Sequence, residues 1–97
     1  MAFTDSEIAE AHEAVRRQGD SDNLYKLGLI YSTGQDVDYV QAHMWFNLAT
    51  ARYNVSETQK RATSLRYRDQ IATRMTADQI ADAQRLARER QIVHSTP

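Results

Sequence analysis

The chain has 97 residues, of which 41 % are hydrophobic and 26 % charged, with a net charge of −1; these are the proportions of one small globular domain and not of a disordered segment or a strongly basic nucleic-acid ligand. It has no cysteine, which excludes disulfides, thiolate metal sites and a cysteine nucleophile and fits a reducing compartment, so a cytoplasmic location is expected. No run reaches the roughly 18 apolar residues of a membrane span, and the acidic opening Met1 to Glu7 lacks the basic and apolar regions of a signal peptide.

One proline and three glycines leave long unpunctuated stretches, which favours an all-α chain. Start and stop signals divide it into five helices. Thr4 with Glu7 forms a capping box and Gly19 is a natural residue just past a helix end, so a first helix is expected over about 5–18, with Ile8, Ala11, His12 and Val15 inward. Ser21 or Asp22 caps a second helix that stops at Gly34, with Leu24, Leu27, Gly28 and Tyr31 as its stripe. Asp38 with Gln41 opens a third over about 39–53, turning Ala42, Trp45, Phe46 and Ala49 inward. Ser56 with Gln59 opens a fourth, about 57–75. Thr76 with Gln79 opens a fifth, about 77–92, with Ile80, Ala83 and Ala87 inward.

Loops this short force consecutive helices to pack antiparallel. Gly28 sits in mid-helix, where glycine costs roughly 1 kcal/mol against alanine. Close approach of Trp45 or Phe46 would explain it. The charge is uneven. Residues 1–40 hold eight acids and three bases, and residues 41–97 hold five acids and nine bases, a balance of −5 against +4.

The string Leu27-Gly28-x-x-Tyr31-x-x-Gly34, then Val37, then Asp38-Tyr39-x-x-Ala42-x-x-Trp45-Phe46-x-x-Ala49, resembles the Sel-1-like repeat, a relative of the tetratricopeptide repeats with units of about 36 residues. The likeness covers residues 21–56. Residues 68–88 resemble the segment that closes short bacterial members. Asn23 stands where the family has alanine, Asp36 replaces a loop glycine, about two residues are missing between Val37 and Asp38, and Thr50 replaces the second alanine of a closing pair. The resemblance implies a single domain. Residues 1–20 would be an N-terminal cap or half repeat, 21–56 the clear repeat, and 57–97 a fourth helix with a capping fifth. The whole would be a short right-handed superhelix of stacked hairpins. The function it implies is that of a small adaptor or scaffold that binds another protein on a concave face.

In such repeats the first helix of each pair lines that face. On that reading Tyr25, Leu29 and Ser32 of the second helix, with Arg61, Ser64 and Arg68 of the fourth, line the groove. The residues agree in part, because Leu29 lies opposite the Leu24–Tyr31 stripe and makes the second helix apolar all round. Either another helix, a second copy of the chain or a partner covers it. Self-association through the same surface is therefore the first alternative function.

A third reading is a small helical enzyme or ligand-binding protein that uses Asp69 and His12. Asp69 follows Leu65 by four and precedes Ala72 by three, which places it on an apolar stripe, where a carboxylate needs a partner such as a tyrosine hydroxyl or an arginine. His12 falls on the stripe of its helix, His43 on the outer side of the third, and His94 in the tail. No pair has metal-ligand spacing, and neither a metal nor a cofactor is expected. No serine has a nucleophile-elbow context, and the scattered glycines form no phosphate loop. The run Lys60, Arg61, Arg66, Arg68, Arg74, Arg85, Arg88, Arg90 is interleaved with acids, which argues against nucleic acid.

Overall fold

The computed structural model describes residues 3–17, 19–33 and 37–95, with side chains up to Arg90. Among these residues there are five helices and no strand: α1 (Asp5–Arg17), α2 (Ser21–Thr33), α3 (Tyr39–Arg52), α4 (Thr58–Ala72) and α5 (Ala77–Ser95). Gly34 and Asp36 lie outside the described residues, as do the side chain of His94 and the geometry of the shortened loop.

Most of the boundaries follow from caps. Thr4 and Glu7 exchange backbone-to-side-chain hydrogen bonds at 3.1 Å each, and Thr76 and Gln79 repeat that pair at α5. The Asp38 carboxylate accepts from the Gln41 amide at 3.1 Å. Gly19 takes φ +62°, the left-handed conformation in which glycine carries no steric penalty.

Two caps differ from expectation. Asp20, not Ser21 or Asp22, accepts from the Asn23 amide and starts α2. Before α4, Ser56 caps nothing. Instead the Glu57 carboxylate accepts from the Asn54 amide, and the Asn54 carbonyl accepts from the Glu57 amide. This reciprocal turn takes the place of the expected Ser56–Gln59 box. Helix α4 ends at Ala72, three residues early, where Thr73 returns its hydroxyl to the Gln70 carbonyl.

Helix α3 is the axis of the molecule. It buries Ala42, His43, Met44, Trp45, Phe46, Leu48 and Ala49, so it is enclosed on nearly every side. One cluster joins Trp45, Met44 and Leu48 to Ala11 and Val15 of α1, Leu24, Leu27 and Ile30 of α2, and Ala87 of α5. A second joins Phe46 and Ala42 to Ile71 of α4, with Tyr25, Leu29 and Tyr39 packed at its edge. Full burial of a large side chain such as Phe46 or Leu27 is worth roughly 1.5–3 kcal/mol.

Helices α2 and α3 form an antiparallel pair. The start of one meets the end of the other where Tyr53 donates to Asp22 at 3.2 Å, and the Asp38 amide donates to the Tyr31 carbonyl at 2.9 Å. Gly28 lets them close: a Cβ there would lie 2.6–2.8 Å from three ring carbons of Phe46. Helix α4 also packs on α3. The Ser64 hydroxyl donates to the Phe46 carbonyl, Thr50 donates to Ser64, and Arg68 donates to Asn47. The expected pairing of every consecutive helix fails at the last turn, since α5 packs on α3 and not on α4. The reason lies in α3, whose second apolar side offers α5 a seat that α4, burying only Ser64 and Ile71, does not.

A candidate partner groove between two parallel helices

Two antiparallel steps, α2 to α3 and α3 to α4, bring α2 and α4 side by side and parallel. The ladder across them rises in step: Asp22 meets Lys60 at 3.4 Å, Tyr25 meets Tyr67 with ring centroids 6.2 Å apart, and Ser32 and Thr33 share a cleft with Gln70 and Arg74.

Phe46 of α3 forms the floor. Tyr67 stacks on it with ring centroids 5.9 Å apart and planes 19° apart, and Tyr25 meets it edge-on at 5.6 Å. This aromatic bridge separates two clefts. The first, about 350 Å³, is lined by Asp22, Tyr25, Tyr53, Gln59, Lys60 and Thr63. The second, about 550 Å³, includes Ser32, Tyr39, Tyr67, Gln70, Ile71 and Arg74. Tyr67 remains 36 % exposed above the fully buried Phe46.

The expected site residues divide by helix. Tyr25 and Ser32 line the clefts, and Leu29 is half-buried against the Phe46–Ile71 cluster beside them. The α4 set is not brought to the groove. Ser64 is fully buried and hydrogen-bonded under α3, and Arg68 lies half-buried against Asn47 and Asp69. Arg61 is exposed and lines neither cleft. The groove-facing residues here are Lys60, Thr63, Tyr67 and Gln70 of α4 with Arg74 just beyond its end, and the first three each stand one position before an expected residue. One position is about 100° of helix rotation, which is enough to exchange the groove side for the α3 side.

Asp69 also departs from expectation. Its side chain is 64 % exposed and pairs with Arg68 at 3.0 Å, and Leu65 before it is exposed as well. There is no apolar stripe there, because α4 meets α3 through Ser64, Arg68 and Ile71. The enzyme reading thereby loses the buried carboxylate on which it rested. His43 is not on an outer side. It is buried, with Nδ1 3.0 Å from the Asn47 amide nitrogen. Burial, then the nearby Arg68, holds its imidazole below the usual histidine range, with Asp69 opposing.

His12 is half-buried at the far side of α3. Its Nε2 lies 2.8 Å from the Tyr31 hydroxyl and its ring meets Trp45 edge-on at 5.9 Å. Burial, then Arg90 and Arg16, lowers its pKa. The Trp45 Nε1 is buried without an acceptor among the described residues.

Tyr53 was not anticipated. It is buried, and burial followed by its bond to Asp22 raises its pKa strongly. Its aromatic character at the C-terminal end of α3 was the one available signal. Among the described residues no three histidine or acidic side chains are grouped to hold a metal. Comparison with protein-family models, with curated proteins and with solved structures gives no match to this chain.

Proposed function

We propose that this chain is a protein-interaction module that receives a segment of another protein in the α2–α4 groove. The observation that carries the reading is the Tyr25–Phe46–Tyr67 seam, which leaves aromatic surface open between two parallel helices. Partly exposed aromatic residues on a fixed backbone are the usual anchors of protein recognition. Thr33 lies 11 residues beyond Asp22 on α2. At 1.5 Å per residue the groove is about 17 Å long, room for about five extended residues at 3.3 Å each. The Sel-1-like pattern in residues 21–56 supports the same use, since its first helices line a binding face.

Self-association on this surface is the second reading, and the opposed charges of residues 1–40 and 41–97 favour it. Among the described residues no helix is long and apolar enough to cross a membrane. Action as an adaptor in a bacterial cytoplasm completes the proposal.

The test uses randomised, fluorescein-labelled pentapeptide pools and nuclear magnetic resonance of the labelled chain. Binding should shift amides of α2 and α4 selectively, and Tyr67→Arg or Leu29→Arg should abolish it. Absence of any such shift, or shifts that survive both substitutions, would refute the groove. A fall in solution mass on Leu29→Arg, with no peptide binding by the parent, would select self-association.

A further inference from the structure

The junction around His12 joins four helices at one titratable group. His12 belongs to α1, its hydrogen-bond partner Tyr31 to α2, the Trp45 ring it abuts to α3, and Arg90, whose guanidinium lies 4.6 Å from the centre of that ring, to α5. The charged groups that face the imidazole are Arg16 on its own helix and Arg90 on α5, both cations. Tyr31 is its neutral titratable neighbour, and α3 presents only the indole. Arg16 is ion-paired with Glu13 of its own helix, which offsets part of its charge, and Arg90 has the larger effect on the ring.

Helix α1 is otherwise lightly held. It buries only Ala11 and Val15, and after Arg17 the chain is tied back through the Gly19 carbonyl, which accepts from Arg52 at 2.6 Å. A helix with two small buried side chains sits at the low end of local stability.

We propose that α1 is a pH-operated latch: protonation of His12 places a third cation beside Arg16 and Arg90, so that mild acid releases α1 from the α2–α3 pair and uncovers the apolar surface around Leu24 and Trp45. The neutral ring hydrogen-bonds Tyr31 and packs on Trp45, whereas the charged ring meets two like charges and a half-buried setting. The direction follows from linkage. The docked state disfavours the proton and the released state does not, so docking is strongest above about pH 6.5 and weakens as pH falls below it. One proton can change the docking equilibrium by at most about tenfold per pH unit.

The experiment is hydrogen–deuterium exchange of the full chain at pH 7.5, 6.5 and 5.5, with protection factors corrected for intrinsic rates. Emission of Trp45, the sole tryptophan, is followed in parallel. The expected result is that below pH 6.5 α1 loses up to about tenfold protection per pH unit in excess of α3, whose protection follows the global stability, with Trp45 emission changing over the same range. His12→Gln, which keeps a polar partner for Tyr31 without a titrating proton, should flatten the α1 response. Arg90→Gln should reduce it, and His43→Gln should leave it in place. An equal loss of protection by α1 and α3 would overturn the latch, as would an excess acid response of α1 that persists in His12→Gln or vanishes in His43→Gln. Should His12→Gln fail to fold, Arg90→Gln decides: an unaltered response there would equally overturn the proposal.

Discussion

Substitution of Gly28 by alanine sets two effects of known size against each other. Alanine in a helix interior is favoured over glycine by roughly 1 kcal/mol. The new methyl, however, would stand 2.6–2.8 Å from Cε1, Cδ1 and Cζ of Phe46, well inside contact distance. The ring has little freedom to retreat: it is fully buried, Tyr67 stacks on one face and Tyr25 meets it edge-on. Overpacking of a well-filled core costs about 1–3 kcal/mol, and a ring held from several sides belongs at the upper end. The net expectation for Gly28→Ala is a loss of about 1–2 kcal/mol. In a domain of this size that corresponds to a fall in Tm of about 10 °C.

Urea unfolding followed by circular dichroism measures the change, and a double-mutant cycle assigns its cause. In a Phe46→Leu background the clash is removed, and Gly28→Ala should become neutral or stabilising. A Gly28→Ala protein as stable as the parent, or an equal loss in both backgrounds, would refute the close-approach explanation of this glycine.

Ser64→Ala removes the acceptor for Thr50 and the donor to the Phe46 carbonyl, and should cost about 1 kcal/mol by urea midpoint, whereas Arg61→Ala, at an exposed position, should stay within about 0.5 kcal/mol. Asp69→Asn breaks only an exposed pair with Arg68 and should likewise change stability by less than about 1 kcal/mol; a larger loss would show that the carboxylate has a structural partner. His12 and His43 both have folded pKa values below the ordinary one, so the unfolded chain takes up protons first. Stability is therefore fully present above about pH 6.5 and lost as pH falls. Urea midpoints at pH 7.5 and 5.5 should show this loss, and His43→Gln should diminish it. Tyr53→Phe should cost about 1 kcal/mol at pH 7 through the lost bond to Asp22, read from the same assay.

What the sequence made legible was local. Thr4 with Glu7 and Thr76 with Gln79 announce their helices because a capping box is satisfied entirely within four residues. Gly28 could be matched to Phe46 because a mid-helix glycine needs a close neighbour and the following helix supplied aromatic candidates. His43 was misplaced for the opposite reason. Its burial depends on α4 crossing α3, with Arg68 reaching Asn47 alongside it, and a wheel drawn on α3 alone holds no record of that crossing. The destination of α5 was equally hidden, since a short turn suggests a hairpin but the second apolar side of α3 decides the packing.

Helix α4 carries this argument to the groove itself. Its sequence, Thr58 to Ala72, spreads Ala62, Leu65, Tyr67 and Ile71 around the axis among charged residues, so no face stands out as the inner one. Orientation then comes from contacts that only the folded chain supplies. Ser64 is small enough to let α4 settle on the Phe46 backbone, and once it does, Tyr67 must fall over the Phe46 ring and Arg68 beside Asn47. That single seating turns Lys60, Thr63, Gln70 and Arg74 toward α2. A bulky residue at 64 would lift the helix and rotate the groove wall with it. Ser64→Leu should therefore disturb peptide capture and fold together, whereas Gln70→Ala, which touches only the open cleft, should affect capture alone. If Ser64→Leu left both unchanged, a different contact would have to set the rotation of α4.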